Sequence, residues 1–336
     1  MITHLGSSSV SYDSPVYIKS FASVVGKKES EGPLGSYFDK VEEDEYLGQD
    51  SFESAESEML KETVKLAFSK FGEKPEAADV LFSGDLLNQC VSSIYAIRDL
   101  SVPYIGIYGA CSTMAEGLML SALAVSSGFA KMSANATSSH FCCAERQFRF
   151  PLEYGSQRTP TSQWTATACG CAVLSKEESD LRITHATVGK IVDKNITDAN
   201  NMGSAMAPAF ADTIYNHLKN TNTRPEDYDL IISGDLGFLG SDLADELLQQ
   251  NGIDIKKRHF DCGKEMYDRE KQDVHSGGSG CGCSASILCG YILPQMQKGK
   301  YKRVLFAATG ALMSAERSKQ GESIPGICHA VAIERV

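Results

Sequence analysis

The sequence has no apolar run long enough to cross a membrane. Its longest candidate, Leu118 to Ala130, covers about thirteen residues and includes Ser and Gly, whereas a helix needs about 20 apolar residues to span the hydrocarbon core. The segment Met1 to Val10 is polar and carries no basic stretch, so we expect no signal peptide. We therefore expect this protein to reach a membrane only through a partner.

Positive charge is also scarce. The chain has 32 Lys and Arg against 43 Asp and Glu, which gives a net charge of −11. This balance argues against a nucleic-acid partner, because phosphate binding needs a basic face. It argues equally against adsorption to an anionic membrane through charge alone. A site for an anionic ligand would have to be locally positive against this background.

The cysteines lack the spacing of a zinc site. There are eleven of them, including the close pairs Cys142 with Cys143, Cys169 with Cys171, and Cys281 with Cys283. None follows the C-x2-C pattern of a tetrahedral site. We therefore predict no metal and no cofactor. An intracellular chain keeps its thiols reduced, and we interpret most of these cysteines as small buried apolar residues.

One pattern occurs twice. The tetrapeptide Ser-Gly-Asp-Leu stands at 83–86 and at 233–236, each time at the end of a predicted strand between predicted helices. Alternating strands and helices predict an α/β fold with a largely parallel sheet in each half. We predict an N-terminal half over 1–180, with an insertion at about 138–164, and a C-terminal half over 181–336, with an insertion at about 252–276. Predicted strands cover 78–82, 104–108, 131–136, 228–232 and 303–308.

Cys111 is the most specific chemical feature. It lies in Gly109-Ala-Cys-Ser-Thr113, directly between a predicted strand and a helix that stops near Gly128. Such a turn points the thiol into a cleft, and the N-terminus of the helix lowers a thiol pKa and attracts anions. The alternative is a buried cysteine that only packs the helix start.

This turn resembles the nucleophile turn of the thiolase superfamily. The segment Gly84-Asp-Leu-Leu-Asn-Gln89, the Gly-rich loop 277–285 and the ending Cys328-His-Ala-Val-Ala-Ile333 are similar to further segments of that superfamily. In thiolases and ketoacyl synthases the cysteine at this turn is the acyl nucleophile, and histidines assist it. The two corresponding stretches here, 276–286 and 234–240, contain no histidine. Condensation therefore lacks its usual base.

Six motifs are spread along nearly the whole chain: Gly26 to Gly35, Gly84 to Gln89, Gly109 to Thr113, Ser138 to Arg149, Met202 to Pro208 and Glu322 to Pro325. This set resembles the stage V sporulation protein AD family. The resemblance implies a thiolase-like fold, with two similar α/β halves packed as a layered α-β-α-β-α sandwich, usually dimeric.

The resemblance also implies a non-enzyme that binds dipicolinic acid (pyridine-2,6-dicarboxylate) or its calcium chelate. Membrane proteins of the stage V sporulation A group would be its partners. It would act in the sporulating cell and spore, soluble or peripheral to the spore inner membrane. An acyl-CoA or acyl-carrier thioester transferase that uses Cys111 is the alternative.

A dipicolinate site needs donors for two carboxylates and a flat apolar slot for the ring. We predict that the helix start supplies one set of donors, that basic side chains supply others, and that glycines let the backbone approach. The predicted ligand-binding residues are Asp85, Cys111, Ser112, His140, Arg146, Arg149, Gly278, Gly280, Cys283 and His329.

Each of these residues also has a structural alternative. Arg146 and Arg149 would then only pair with Glu145 or Glu153, and the histidines would be satisfied internally. The glycines would form a tight connection, and Asp85 and Asp235 would cap helices. Asp85 has a further functional alternative, in which it binds the calcium of the chelate or orients a donor.

Overall fold

The computed structural model describes residues 2–148 and 158–336. The strands are β1 Ile2–Leu5, β2 Ser9–Gly26, β3 Lys40–Glu42, β4 Val80–Gly84, β5 Tyr104–Gly106, β6 Met132–Ser139, β7 Trp164–Thr165, β8 Ala168–Ser175, β9 Leu181–Thr187, β10 Leu230–Ser233, β11 His259–Asp261, β12 Gly278–Ser279, β13 Arg303–Ala311 and β14 Gly326–Arg335. The helices are α1 Lys27–Ser30, α2 Phe52–Ser69, α3 Val91–Arg98, α4 Thr113–Ser127, α5 Phe141–Phe148, α6 Met202–Thr221, α7 Gly237–Gln250, α8 Cys262–Met266, α9 Cys281–Ile287, α10 Leu293–Gln297 and α11 Ala315–Lys319.

Two sets of five strands repeat the same topology. The sheet order is β11-β10-β13-β14-β9-β2-β8-β6-β4-β5. In each set three neighbouring strands are parallel, and the fourth, β8 or β14, is antiparallel to both of its neighbours. The antiparallel pairing of β2 with β9 joins the sets. The sheet is therefore mixed rather than largely parallel, because β8 and β14 run against the strands that the sequence pattern identified.

Helices separate and cover the two sets in five layers. α2 and α3 pack on one outer face, and α6 and α7 pack on the other. α4 and α9 lie between the sets, with α4 against β4 and β6 of one and β13 and β14 of the other. α4 is apolar on nearly all sides because it is covered from both directions. This confirms the predicted α-β-α-β-α arrangement.

Local sequence signals explain where α4 ends and where α2 begins. α4 ends, as predicted, at Gly128, whose φ of +82° is the left-handed conformation that suits glycine. α2 begins after Ser51, whose hydroxyl accepts the amide of Ser54 at 3.2 Å. In the sequence, Asp50 and Glu53 have the spacing of a capping box, which predicts Asp50 as the N-cap, so this prediction is wrong by one residue. In residues 2–148 and 158–336, no helix is long and apolar enough to cross a membrane.

The segment predicted as an insertion at 252–276 contains part of the repeated core. It includes β11, which pairs with β10 as β5 pairs with β4. The additional chain is α8 and the loop that follows it, which lead to β12 and the start of α9. The domain limits at 180 and 181 stay a prediction.

Candidate functional site

A strained turn holds Cys111 at the start of α4. The φ of Ala110 is +50°, a left-handed conformation that costs free energy in a residue with a side chain. The hydroxyl of Ser112 donates to the Gly109 carbonyl at 2.7 Å, and that of Thr113 donates to the Ala110 carbonyl at 2.6 Å. Cys111 is 5% exposed. The predicted ligand residue Ser112 therefore uses its hydroxyl to close the turn.

The Gly-rich loop before α9 lies beside the Cys111 turn. Gly280 has a φ of +100°, and a Cβ on it would stand 2.7 Å from the Ser139 hydroxyl. Only glycine fits this position without strain. The Gly280 amide donates to Asp235 Oδ2 at 2.8 Å. The loop thereby brings Cys281, the first residue of α9, into one apolar cluster with Cys111.

Asp235 lies behind these two helix starts and is fully buried. Besides the Gly280 amide, its carboxylate accepts hydrogen bonds from the Ser279 hydroxyl and from the Thr309 hydroxyl, each at 3.0 Å. The Cys111 thiol lies close enough to this carboxylate for its negative charge to act on the thiol. Asp235 therefore does not cap α7, which was its structural alternative. Asp261 takes that role and accepts the amides of Leu236 and Gly237 at 2.8 and 2.9 Å.

Burial and the neighbouring carboxylate control the charge at this site. Burial raises the pKa of Cys111 well above its usual range, and the negative charge of Asp235 raises it further. Burial raises the pKa of Asp235 to about 6, although its hydrogen bonds from the Gly280 amide and the Thr309 hydroxyl act in the opposite direction. At neutral pH Cys111 is therefore a neutral thiol, despite its place before a helix N-terminus.

A narrow pocket of about 30 Å³ opens onto Cys111. Most of its lining side chains are apolar, and aromatic rings and methionines form its walls. The lining residues are Leu86, Tyr108, Ala110, Cys111, Ala144, Glu145, Phe148, Thr165, Met202, Ser279, Ala311 and Met313. The buried residues Cys111 and Ser279 form its closed end. The free space is about that of one water molecule, so a flat apolar group enters only if the wall side chains move apart.

A wider and more polar vestibule of about 390 Å³ adjoins this pocket and shares Tyr108, Phe148 and Met313 with it. The exposed residues Asn88 and Gln89 line it. Gln89 and the following Cys90 both have positive φ, at +59° and +52°. Strained backbone thus occurs on both sides of the passage to Cys111, a distribution that is typical of functional sites.

The predicted residue Asp85 is placed as a cap rather than as a pocket residue. Its carboxylate accepts the Leu87 amide at 2.8 Å, and the amide and hydroxyl of Ser93 at 2.7 Å each. Ser93 lies in the first turn of α3, so Asp85 satisfies the start of that helix. Its fully buried carboxyl does not line the pocket.

The two predicted histidines are held by backbone groups. One ring nitrogen of His140, Nε2, lies 2.9 Å from the Glu45 carbonyl, and the other accepts the Cys142 amide at 3.2 Å. His329 Nδ1 accepts the Gly189 amide at 3.2 Å. Burial lowers the pKa of His140 and lowers that of His329 to about 4. Both rings are therefore neutral at pH 7, and neither lines the Cys111 pocket.

Three more of the predicted residues, Arg146, Gly278 and Cys283, do not line the pocket. Arg146 forms an ion pair with Glu53 on the outer side of α5. Gly278 pairs with Trp164 between β12 and β7, and Cys283 is buried in the central layer. Arg149 lies outside the described residues. Of the ten predicted residues, Cys111 lines the pocket and Gly280 shapes its wall through Asp235. The ligand contacts assigned to the set stay predictions.

Several pocket residues were missed by the sequence reasoning. Asp235 had a signal, since it belongs to the second Ser-Gly-Asp-Leu, and Ser279 belongs to the Gly-rich loop. Nothing in the sequence indicated the wall residues, because a single aromatic or Met residue in a sequence can equally belong to a core or to a pocket. These wall residues are Tyr108, Phe148, Met202 and Met313.

A second aromatic cluster carries positive charge. Trp164 stacks on Phe141 with ring centroids 3.8 Å apart, and Lys28 Nζ lies 3.6 Å from the Trp164 centroid. Successive residues of a strand face opposite sides, so Trp164 faces away from the pocket that Thr165 lines. This cluster is a separate place where an aromatic anion would find a cation.

Comparison with known sequences gives a family match over most of the chain. The family model described as stage V sporulation protein AD matches residues 6–334. Stage V sporulation protein AD of Bacillus subtilis (strain 168) is 44% identical over 324 residues, which are 96% of this chain and 96% of that protein.

Comparison with solved structures shows a thiolase-like fold. Human mitochondrial 3-ketoacyl-CoA thiolase in complex with CoA is 12% identical with a TM-score of 0.62, over 97% of this chain and 99% of that one. The 3-oxoacyl-[acyl-carrier-protein] synthase III of Aquifex aeolicus is 14% identical with a TM-score of 0.59, over 95% and 99%. A variant of OleA from Xanthomonas campestris is 13% identical with a TM-score of 0.60, over 99% and 100%.

Proposed function

Because this chain belongs to the stage V sporulation protein AD family, we propose that it binds dipicolinic acid. Binding would serve the uptake of dipicolinate, or of its calcium chelate, into the developing spore. The observation that carries this proposal is the narrow apolar pocket that ends at a neutral thiol. Such a site, once its wall side chains move apart, would hold a ring without reacting with it.

The walls of the pocket suit a planar heteroaromatic ring. Tyr108 and Phe148 supply aromatic faces, and Met202 and Met313 supply polarizable thioethers that adapt to a ring. One carboxyl of the ligand would reach the closed end at Cys111 and Ser279. The other would lie toward the vestibule, where the exposed Asn88 and Gln89 offer amide donors.

An alternative function is acyl transfer through Cys111. The strained turn at Ala110 and the resemblance in fold to a thiolase and a ketoacyl synthase favour it. The electrostatics oppose it, because a nucleophilic cysteine needs a lowered pKa or an adjacent base, whereas burial and Asp235 raise the pKa of Cys111. Incubation with acyl-CoA followed by mass spectrometry decides the matter. We expect no acyl adduct on Cys111, and an adduct that is lost in Cys111→Ala would establish acyl transfer.

Titration calorimetry with dipicolinate tests the binding proposal. We expect Phe148→Ala to weaken binding at least roughly fivefold, since an aromatic contact contributes about 1 kcal/mol beyond its buried area. Phe129→Ala is the matched control, because Phe129 is 71% exposed and does not line the pocket. Equal affinity of the Phe148 and Phe129 variants would place the ligand elsewhere. Parallel titrations with calcium show whether the chelate or the free acid binds.

We further propose that the chain acts as a homodimer beside membrane proteins of the stage V sporulation A group, at the spore inner membrane. β5 ends the sheet and, among the described residues, pairs only with β4. Exposed apolar side chains border this edge: Ile94, Tyr95, Ile105, Tyr108, Leu123 and Phe129. An open edge strand with apolar neighbours is a natural place for a second copy to pair.

A further inference from the structure

The closed end of the Cys111 pocket carries two side chains that have one proton each to donate. The hydroxyl of Ser279 donates its proton to Asp235 Oδ2 at 3.0 Å. The thiol of Cys111 is close to the same carboxylate, whose negative charge raises the pKa of the thiol and attracts its proton. While Asp235 is ionised, the Ser279 proton therefore points away from the pocket, and the thiol proton is attracted in the same direction. Cys111 and Ser279 then present lone pairs to a ligand.

The ionised Asp235 carboxylate accepts hydrogen bonds from several donors. Besides the Ser279 hydroxyl, its carboxylate accepts the Gly280 amide at 2.8 Å and the Thr309 hydroxyl at 3.0 Å. A carboxylate holds such donors strongly, because hydrogen bonds to a charged group are about twice as strong as neutral ones. A carboxylate of the ligand that enters the pocket must therefore compete with Asp235 for the protons of these donors.

The other groups that face Asp235 do not offset its charge. Asp261 at the end of β11 is a second buried carboxyl, and its charge raises the pKa of Asp235. The thiols of Cys262 in α8 and of Cys281 and Cys283 in α9 also face Asp235, and burial raises the pKa of each of them well above its usual range. His259 is one step away, because it bonds to Ser233, which donates to Asp261.

We propose that the pocket takes up one proton with each dicarboxylate that it binds. The proton resides on Asp235 or on the inner carboxyl of the ligand. A proton on Asp235 frees the Ser279 or Cys111 proton to turn toward the ligand, and a proton on the ligand supplies the donor directly. In both cases one charge is removed from a pair of buried carboxylates. The inference rests on the proposed function, and it assigns Asp235 as the positioning residue of that site.

Calorimetry on the unmodified protein measures this proton directly. Dipicolinate is titrated in buffers of different ionisation enthalpy, with a chelator present to remove calcium. We expect a slope that corresponds to one proton taken up, and an affinity that falls about tenfold for each pH unit above the pKa of the site. Binding with a slope of zero overturns this inference and leaves the proposed function intact. No binding at any pH between about 5.5 and 8 overturns both.

The variant Asp235→Asn tests the location of the effect. It keeps the size of the side chain but cannot ionise, so we expect binding with no proton uptake and an affinity that does not change with pH. Asp79→Asn is the control, since Asp79 accepts the amides of Lys131 and Met132 outside the pocket. It should bind with the same proton uptake as the unmodified protein. Proton uptake that persists in Asp235→Asn contradicts the assignment. If that variant does not fold, the buffer series on the unmodified protein decides.

Discussion

Ala110 carries the backbone strain that positions Cys111. Its φ of +50° belongs to the left-handed region, which costs a residue with a Cβ roughly 1–2 kcal/mol. The turn persists because the hydroxyls of Ser112 and Thr113 close it and α4 is packed behind it. The position of the thiol is thus maintained by its surroundings rather than by the local preference of the chain.

Replacement of Ala110 by glycine isolates this strain. Ala122→Gly is the comparison, because Ala122 is an equally buried alanine in regular helix within α4. Both variants lose a buried methyl group and gain freedom in the unfolded state, but only Ala110→Gly relieves a left-handed residue. We expect the Ala110 variant to be more stable than the Ala122 variant by about 1–2 kcal/mol in denaturant unfolding. Equal losses in the two variants would mean that the turn is not strained.

Asp85 and Asp235 show how far one residue's role can be inferred from sequence. The two share a tetrapeptide and a place after a strand, and the sequence predicts a cap for both as the structural alternative. Asp85 does cap its helix, whereas Asp235 accepts hydrogen bonds from Ser279 and Gly280 of the Gly-rich loop. The difference arises from Asp261, which occupies the cap position of α7. That partner is distant in sequence, so no local pattern indicates it.

A Ser-His-Asp chain near this site illustrates the same limit. Ser233 Oγ lies 2.8 Å from His259 Nε2, and His259 Nδ1 lies 2.7 Å from Asp245. The spacing resembles a hydrolase triad, yet Ser233 is fully buried and donates to Asp261 at 2.6 Å. The hydroxyl proton is therefore engaged and no substrate reaches it. We interpret the chain as support for Asp261 and the end of β10.

At the scale of elements, the segment from Gly26 to Gly35 is fixed by one buried carboxyl group. Glu29 of α1 accepts the Thr167 amide at 3.1 Å and the hydroxyl of Tyr267, which follows α8. Burial raises the pKa of Glu29 to about 7, although both hydrogen bonds act to lower it. This element therefore joins the two halves through a group that titrates near neutral pH.

The stability of the protein should depend on the ionisation of Glu29. Because its pKa is raised in the folded state, the unfolded chain releases this proton at lower pH than the folded chain does. Stability is therefore lost as the pH rises from about 4.5 to about 7, by roughly 3 kcal/mol for a shift of this size. Unfolding by denaturant at pH 5 and pH 8 should show a smaller loss in Glu29→Gln than in the unmodified protein. Glu31→Gln, an exposed change in the same segment, should lose as much as the unmodified protein, and equal losses in all three proteins would contradict the assignment.

Periodic elements were predictable, and elements defined by long-range pairing were not. The strands β4, β6, β10 and β13 and the end of α4 match their predicted positions closely. The long strand β2, which joins the two sets, was not predicted, and neither was its neighbour β8. β2 is exposed on one side near its start and buried at its end, so apolar and polar residues do not alternate uniformly along it. Its identity depends on pairing with β8 and β9, which lie far along the chain.

At the scale of the whole molecule, the duplication leaves an open edge at each end of the sheet. One edge is β11, and the other is β5 with its exposed apolar surroundings.

The family match and the resemblance in fold were predictable from motifs that run along the chain. The site was predictable only at Cys111 and in the Gly-rich loop, because the pocket forms where side chains from both halves meet.

Light scattering after size-exclusion chromatography tests the dimer. We expect a particle of twice the chain mass of 36.3 kDa. Ile105→Lys places a charge on the edge strand β5, and we expect it to give a monomer, since charged edge residues block strand pairing. Ile191→Lys is the matched control, because Ile191 is 61% exposed and lies far along the chain from β5, after β9. A monomer in the unmodified protein, or a dimer that persists in the Ile105 variant, would contradict this surface.

A crystal structure with dipicolinate tests the central claim most directly. We predict the pyridine ring in the pocket between Phe148 and Met313, with one carboxyl group within hydrogen-bond distance of Cys111 or Ser279. A ring stacked on Trp164 beside Lys28, or an unchanged pocket at saturating ligand, would contradict it.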